Sequence, residues 1–263
     1  MFDILLPAIA VGAIALFFGA LLDFASVVFK VEKDEREEQI GELLPGANCG
    51  GCGYAGCSAF ANAIVTEGAE ISKCNLMTDE KLNQISAIMG VKAGKKVKKV
   101  AHVSCAGTCD KAKNKYEYFG TNDCVTASQL GGGAKECEYG CLGLGSCVQK
   151  CPFGAIAIAD GVAKVDDEKC VGCGACADIC PKGLISLAEK KSVAVVNCAS
   201  KDKGAVVKNY CQAGCIGCKI CEKKCEADAI HVSDNLAKVD TDKCTACGKC
   251  VEACPKKVIE IKN

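Results

Sequence analysis

The chain contains no tryptophan, and aromatic residues make up only 5% of its 263 positions. Aromatic side chains carry much of the buried area of a large apolar core, so a core of that kind is not expected. Charge of one sign is also missing, since Lys plus Arg and Asp plus Glu number 32 each. The net field therefore selects neither nucleic acid nor an acidic partner. Histidine occurs only as His102 and His231. Neither belongs to a base–nucleophile pattern, which leaves acid–base catalysis by this chain without a candidate. No G-x-G-x-x-G follows a strand pattern, and Gly131-Gly132-Gly133 sits among turn residues without a phosphate-loop lysine. A nicotinamide or flavin site is thereby unsupported.

Cysteine is what the chain has in abundance, 25 residues in all. Such a density points to a disulfide scaffold or to a metal-loaded protein. An odd number of cysteines leaves one unpaired, and the tight C-x2-C spacing suits a shared metal centre, so a reducing compartment is expected. Cys170, Cys173, Cys176 and Cys180-Pro181 spell C-x2-C-x2-C-x3-C-P. The spacing recurs at Cys215, Cys218, Cys221 and Cys225, and again at Cys244, Cys247, Cys250 and Cys254. In two-cluster ferredoxins the first three thiolates of such a run hold one 4Fe-4S cluster and the fourth holds its neighbour.

A different spelling, C-x2-C-x4-C-x16-C, covers Cys49, Cys52, Cys57 and Cys74. The glycines around it let the backbone wrap a cluster closely and aim N–H groups at sulfur. Structural zinc is the competing occupant of four thiolates this close in sequence. Ser58 to Glu67 reads as a helix, and 78–100 as a helix followed by a connector with Lys92, Lys95, Lys96, Lys98 and Lys99. These lysines read as a solvated linker, or as a surface drawn to anionic lipid or an acidic donor.

The C-terminal part repeats itself at an offset of 74 residues, with Cys124, Cys137, Cys141, Cys147, Cys151, Cys170, Cys173, Cys176 and Cys180 answered by Cys198, Cys211, Cys215, Cys221, Cys225, Cys244, Cys247, Cys250 and Cys254. Duplications of this kind mark repeated structural units. Each unit reads as two short strands with a Cys-rich loop, a ferredoxin-like module for two clusters. In the second module the expected sets are Cys215, Cys218, Cys221 with Cys254, and Cys244, Cys247, Cys250 with Cys225. In the first, Cys170, Cys173, Cys176 and Cys151 form one set. Its partner lacks a counterpart of Cys218, where Leu144 stands. Cys137 is the expected substitute, giving Cys137, Cys141, Cys147 and Cys180. Cys105, Cys109, Cys124, Cys198 and Cys211 share no recognised spacing and read as free thiols, or as ligands of one more cluster. Five 4Fe-4S clusters are expected, or six on that second reading.

Ile4 to Leu22 is an unbroken run of apolar or small residues, interrupted at Asp23 and resumed from Phe24 to Phe29. Its length matches the roughly 20 residues a membrane-spanning helix needs. Lys30, Lys33 and Arg36 follow it, which places the C-terminal side in the cytoplasm. A signal peptide would bring a basic start and a small-residue cleavage site, and neither is seen.

The expected fold class is α+β: an N-terminal transmembrane helix at 1–30, a small helical 4Fe-4S domain at 31–92, a connector at 93–133 carrying extra cysteines, and two tandem bacterial-ferredoxin-like modules at 134–191 and 192–263. The order of these parts, with the Gly-rich element at 49–74, resembles the B subunits of Rnf complexes, the ion-translocating ferredoxin:NAD oxidoreductases of bacteria and some archaea. Cys137-Glu-Tyr-Gly-Cys141-Leu-Gly-Leu-Gly-Ser-Cys147 resembles the longer family members from anaerobes. The shorter members have a single two-cluster module. The resemblance implies an input arm that accepts electrons from soluble reduced ferredoxin and passes them to other membrane and peripheral subunits. It further implies NAD reduction elsewhere in the complex, coupled to Na+ or H+ movement. The apolar run and the basic residues after it give a single-pass location in the cytoplasmic membrane, and the balanced charge gives no nucleic-acid partner. A polyferredoxin serving another membrane enzyme, such as a hydrogenase, is the alternative.

Overall fold

The computed structural model describes residues 2–28, 34–92 and 98–262. Lys30, Lys33, Lys95 and Lys96, to which the sequence gives roles, lie outside the described residues. The first helix runs Phe2–Val28. Its side chains are described from position 11 to 25, short of the roughly 20 residues a bilayer requires. Among the described residues, accordingly, no helix is long and apolar enough to cross a membrane. The large apolar side chains among them, Val11, Ile14, Leu16, Phe17, Phe18, Leu21, Leu22 and Phe24, face solvent, with Leu16 at 78% and Leu22 at 69% exposure.

A small helical unit follows. Asp34 caps the helix Glu35–Leu43 by accepting from the Arg36 N–H at 2.9 Å, and three glutamates in the first turn face the positive end of the helix dipole. The helix Cys57–Thr66 and the helix Asp79–Met89 complete the unit, the latter closed by Gly90 in the left-handed conformation. Ile40, Phe60, Ile64, Met77 and Ile85 are essentially solvent-free and pack together. Each such side chain stabilises the fold by about 1.5–3 kcal/mol.

The two modules share one plan. In the first, the strands Ile156–Ala159 and Val162–Val165 form a hairpin; in the second, Ile230–Ser233 and Leu236–Val239 form its counterpart. Asp160 and Gly161 turn the first hairpin and Asp234 and Asn235 the second, all four with positive φ. That is the demand of a tight two-residue hairpin loop whose twist matches the strands. Each module closes with a second antiparallel pair, Lys99–Val103 with Ile185–Glu189 and Val193–Val196 with Ile259–Lys262. The stretch read as a connector at 93–133 therefore supplies a strand to the first module. It also reaches the second, since the Lys113 N–H donates to Tyr210 O and the Gln212 N–H to Lys111 O, both at 2.8 Å. Lys262 fastens the last strand to the first module, pairing with Asp167 at 2.9 Å and donating to Ala101 O.

The cores of the modules are small and rich in cysteine. Cys141, Cys147, Cys170 and Cys176 stand among the buried residues of the first, and Cys215, Cys221 and Cys250 among those of the second.

Candidate metal centres

Twenty-four of the 25 cysteines assemble into six groups of four. Cys49, Cys52, Cys57 and Cys74 ring a cavity of about 410 Å³ between the end of the helix Glu35–Leu43 and the start of the helix Cys57–Thr66. Asn48 holds its mouth, accepting from the Cys57 N–H at 2.8 Å. Cys173 also borders this cavity, and Asn75 donates to Gly172 O at 2.9 Å. The first centre is thus docked on the Cys-rich loop of the first module.

Cys151, Cys170, Cys173 and Cys176 line a second cavity, of about 310 Å³. Cys215, Cys218, Cys221 and Cys254 line another, of about 340 Å³. The Cys250 thiol feels the charges of Cys225, Cys244 and Cys247, which places those four together. The structure therefore brings together the sequence-derived sets at all four of these centres.

The fifth set differs from expectation. The cavity of about 370 Å³ that holds Cys141, Cys147 and Cys180 is completed by Cys124, not by Cys137. Cys124 opens a short helix capped by Asp123, whose carboxylate also accepts from Ser146 Oγ at 2.7 Å. Ser146 in turn accepts from the Cys124 N–H at 2.6 Å. This pin sets the Cys124 backbone beside Cys147 and fills the gap left by Leu144.

Cys137 instead lines a fifth cavity, of about 380 Å³, with Cys105, Cys198 and Cys211. Four of the five thiols read as free cysteines are therefore grouped with others, and Cys109 alone stands outside every group. The repeat itself also needs correction, because Cys198 answers to Cys105 and not to Cys124. Each follows the edge strand of its module, and each Sγ accepts a matching backbone N–H, from Cys141 at 3.4 Å and from Cys215 at 3.3 Å. The Ala101 N–H to Cys170 Sγ and the Ala194 N–H to Cys244 Sγ form a second matching pair. Relative to the second module, the first carries an insertion between Cys105 and Cys137, and Cys124 lies in it. The signal was present in Val100-Ala-His-Val-Ser-Cys105 against Val193-Ala-Val-Val-Asn-Cys198. This last cavity is consequently pseudo-symmetric, taking one equivalent pair of thiols from each module.

These sites suit a group larger than an ion. Four sulfurs around zinc at about 2.3 Å would stand less than about 4 Å apart. Among the described residues, no three His, Cys, Asp or Glu side chains converge closely enough to hold a single metal ion. Soft thiolates spread around a cavity, with N–H groups aimed at sulfur, match the ligation of iron–sulfur clusters. Burial pushes the Cys147 thiol up to about 12, helped by repulsion from Cys141 and Cys124. It pushes Cys176, Cys198 and Cys221 up to about 11. A bound cluster must displace these protons, so loading is coupled to proton release and weakens as pH falls.

Comparison with known proteins agrees with this geometry. Residues 44–75 match the family described as "Putative Fe-S cluster", residues 163–186 the "4Fe-4S binding domain" and residues 214–259 the "4Fe-4S dicluster domain". The chain is 46% identical over 264 residues to the B subunit of the ion-translocating oxidoreductase complex of Methanosarcina acetivorans, covering 100% of both. It is 46% identical to the B subunit of the Na(+)-translocating ferredoxin:NAD(+) oxidoreductase complex of Acetobacterium woodii, across 97% of this chain and 77% of that one. Identity is 40% to the proton-translocating counterpart from Clostridium ljungdahlii, across 99% and 93%. With four-thiol sites along its length and full-length relatives of one kind, this chain belongs to the family of B subunits of ion-translocating ferredoxin:NAD oxidoreductase (Rnf) complexes.

Proposed function

We propose that this chain is the electron-carrying subunit of a membrane-bound ferredoxin:NAD oxidoreductase, with 4Fe-4S clusters held by all six cysteine quartets. The observation that carries the reading is the grouping itself: every cysteine but Cys109 falls into a set of four. When bound, such clusters supply one-electron redox chemistry. The protein's part is to bury the thiols, donate N–H groups to sulfur, and keep consecutive sites in contact. Gly51 and Asn75 hold the first site on the Cys173 loop, and the inter-module site joins the halves of the repeat.

Cys218 and Cys247 are exposed, which supports the second module as the face that meets soluble reduced ferredoxin. The apolar, outward-facing first helix supports a single-pass anchor in the cytoplasmic membrane, with the cluster-bearing part on the cytoplasmic side and other components of the complex alongside. Electron transfer through this chain is coupled to the movement of Na+ or H+ elsewhere in the complex. The parts assigned are an anchor, a helical cluster domain, and two modules bridged by residues 98–133.

Two measurements test the reading. Anaerobically reconstituted full-length protein is expected to hold about 24 iron atoms, four per cluster, and a content near 20 would remove the sixth site. In membranes, reduction of NAD by reduced ferredoxin is expected to vanish when this chain is deleted and to return on complementation. Unchanged activity without the chain would refute the input role.

A further inference from the structure

Lys135 is 6% exposed, and its ammonium donates to two backbone carbonyls, Gly107 O at 2.5 Å and Gly161 O at 3.2 Å. No carboxylate pairs with it among the described residues. A buried ammonium that keeps its charge needs a counter-ion or a dense shell of dipoles, because desolvation costs several kcal/mol. Two carbonyls fill only two of its three donor positions. The side chain lines the cavity of Cys105, Cys137, Cys198 and Cys211, and its charge reaches the sulfurs of Cys211 and of Cys141 in the adjoining site. The position equivalent to Lys135 in the second module is Asn209, which is exposed. The buried charge of the first module thus has no counterpart at the equivalent position, although the charge of Lys256 also reaches Cys211.

We propose that Lys135 is the built-in counter-charge of the inter-module centre and raises its reduction potential, making it the point on the chain where an electron settles most readily among the centres of the first module. The inference rests on the six-site reading above. A cubane with four thiolates is anionic and gains a further negative charge on reduction. A fixed cation nearby favours the reduced form, as net charge around a cluster is one of the protein's levers on potential. The step is the gain of one electron by the cluster. The bland alternative is that Lys135 merely latches the Gly107 and Gly161 carbonyls together.

The experiment is a redox titration followed by electron paramagnetic resonance on the full-length, anaerobically reconstituted protein, with the inter-module signal identified by its loss in Cys198→Ser. Lys135→Met and Lys135→Gln are expected to hold the full iron complement and to lower the midpoint of that signal. The expected loss is at least about tenfold in electron affinity, about 59 mV for a one-electron couple. The centres in the second module should not move, and Lys135→Arg should stay near the parent value. A neutral variant with full iron and an unchanged midpoint overturns the proposal. If both neutral variants shed iron from this centre alone while Lys135→Arg retains it, the requirement for charge stands; if Lys135→Arg sheds it too, Lys135 is a latch and the proposal fails. Should Cys198→Ser change neither spectrum nor iron content, it is the six-site reading that falls.

Discussion

Gly51 stands directly against the backbone of Cys173. A β-carbon on Gly51 would lie 2.8 Å from the Cys173 Cα and 3.1 Å from its carbonyl oxygen. Contact this close admits only a hydrogen, and it joins a loop carrying ligands of the first centre to a ligand of the next. Gly51 does not adopt a positive φ, so the requirement for glycine there is one of space alone.

Gly51→Ala is therefore expected to push the 44–75 element off the Cys-rich loop while leaving its four thiols together. Iron content should stay at the parent level, and magnetic coupling between the first two centres should weaken. Gly41→Ala is the control, because a β-carbon there meets nothing within 4 Å and alanine is favoured within a helix by about 1 kcal/mol. Equal coupling in both variants would show that the Gly51 contact does not matter.

Cys124→Ser and Cys137→Ser should remove different clusters. The first should abolish or convert the centre of Cys141, Cys147 and Cys180 and leave the inter-module centre in place. The second should do the reverse. Cys109→Ser should change neither iron content nor spectrum. If Cys137→Ser damaged the Cys141 centre and Cys124→Ser spared it, the geometric grouping would be wrong.

Removing iron should unfold the chain unevenly. The modules bury cysteines where other proteins bury larger apolar side chains, so chelation under reducing conditions should collapse their tertiary structure. The helices between Glu35 and Met89 share a core of Ile40, Phe60, Ile64, Met77 and Ile85 and should keep more of their helical circular dichroism. Limited proteolysis would read this directly, with cleavage expected after residue 98 first. Phe60→Ala should erase the difference by costing the helical unit about 3–5 kcal/mol.

Tyr210 joins Ser200 at 2.9 Å and donates to Asp202 at 2.7 Å beside the inter-module cavity. Tyr210→Phe leaves both partners without it, and Ser200 is 2% exposed. Ser200 keeps the Asp202 N–H as a donor to its Oγ, at 3.2 Å, so the change removes one hydrogen bond at each partner, about 1 kcal/mol apiece. A fall of that size in denaturant stability is expected with all iron retained; an unchanged midpoint of unfolding would show that water replaces the hydroxyl.

Where ligands follow one another at fixed short spacing, the amino-acid order alone is enough. C-x2-C-x2-C-x3-C confines three thiols to one loop and points the fourth at a neighbour, so Cys170 to Cys180, Cys215 to Cys225 and Cys244 to Cys254 are legible without coordinates. Hairpins at 156–165 and 230–239 are equally local, since Asp-Gly and Asp-Asn tolerate the left-handed turn. Cys124, Cys105 and Cys198 are a different matter. Each enters its site from a segment far along the chain, delivered by a strand pairing or by a hydrogen-bonded pin.

Composition and short-range spacing by themselves established a cluster-bearing, duplicated chain with an apolar N-terminal helix, because loop geometry at two or three residues' separation leaves thiols little choice. The partner of each distant thiol was settled only by tertiary structure. An insertion shifts the repeat between Cys105 and Cys137, and strand register, not sequence offset, then determines which sulfurs share a cavity. Long-range pairing depends on how edge strands add to a sheet, and a constant offset along the sequence carries no record of that.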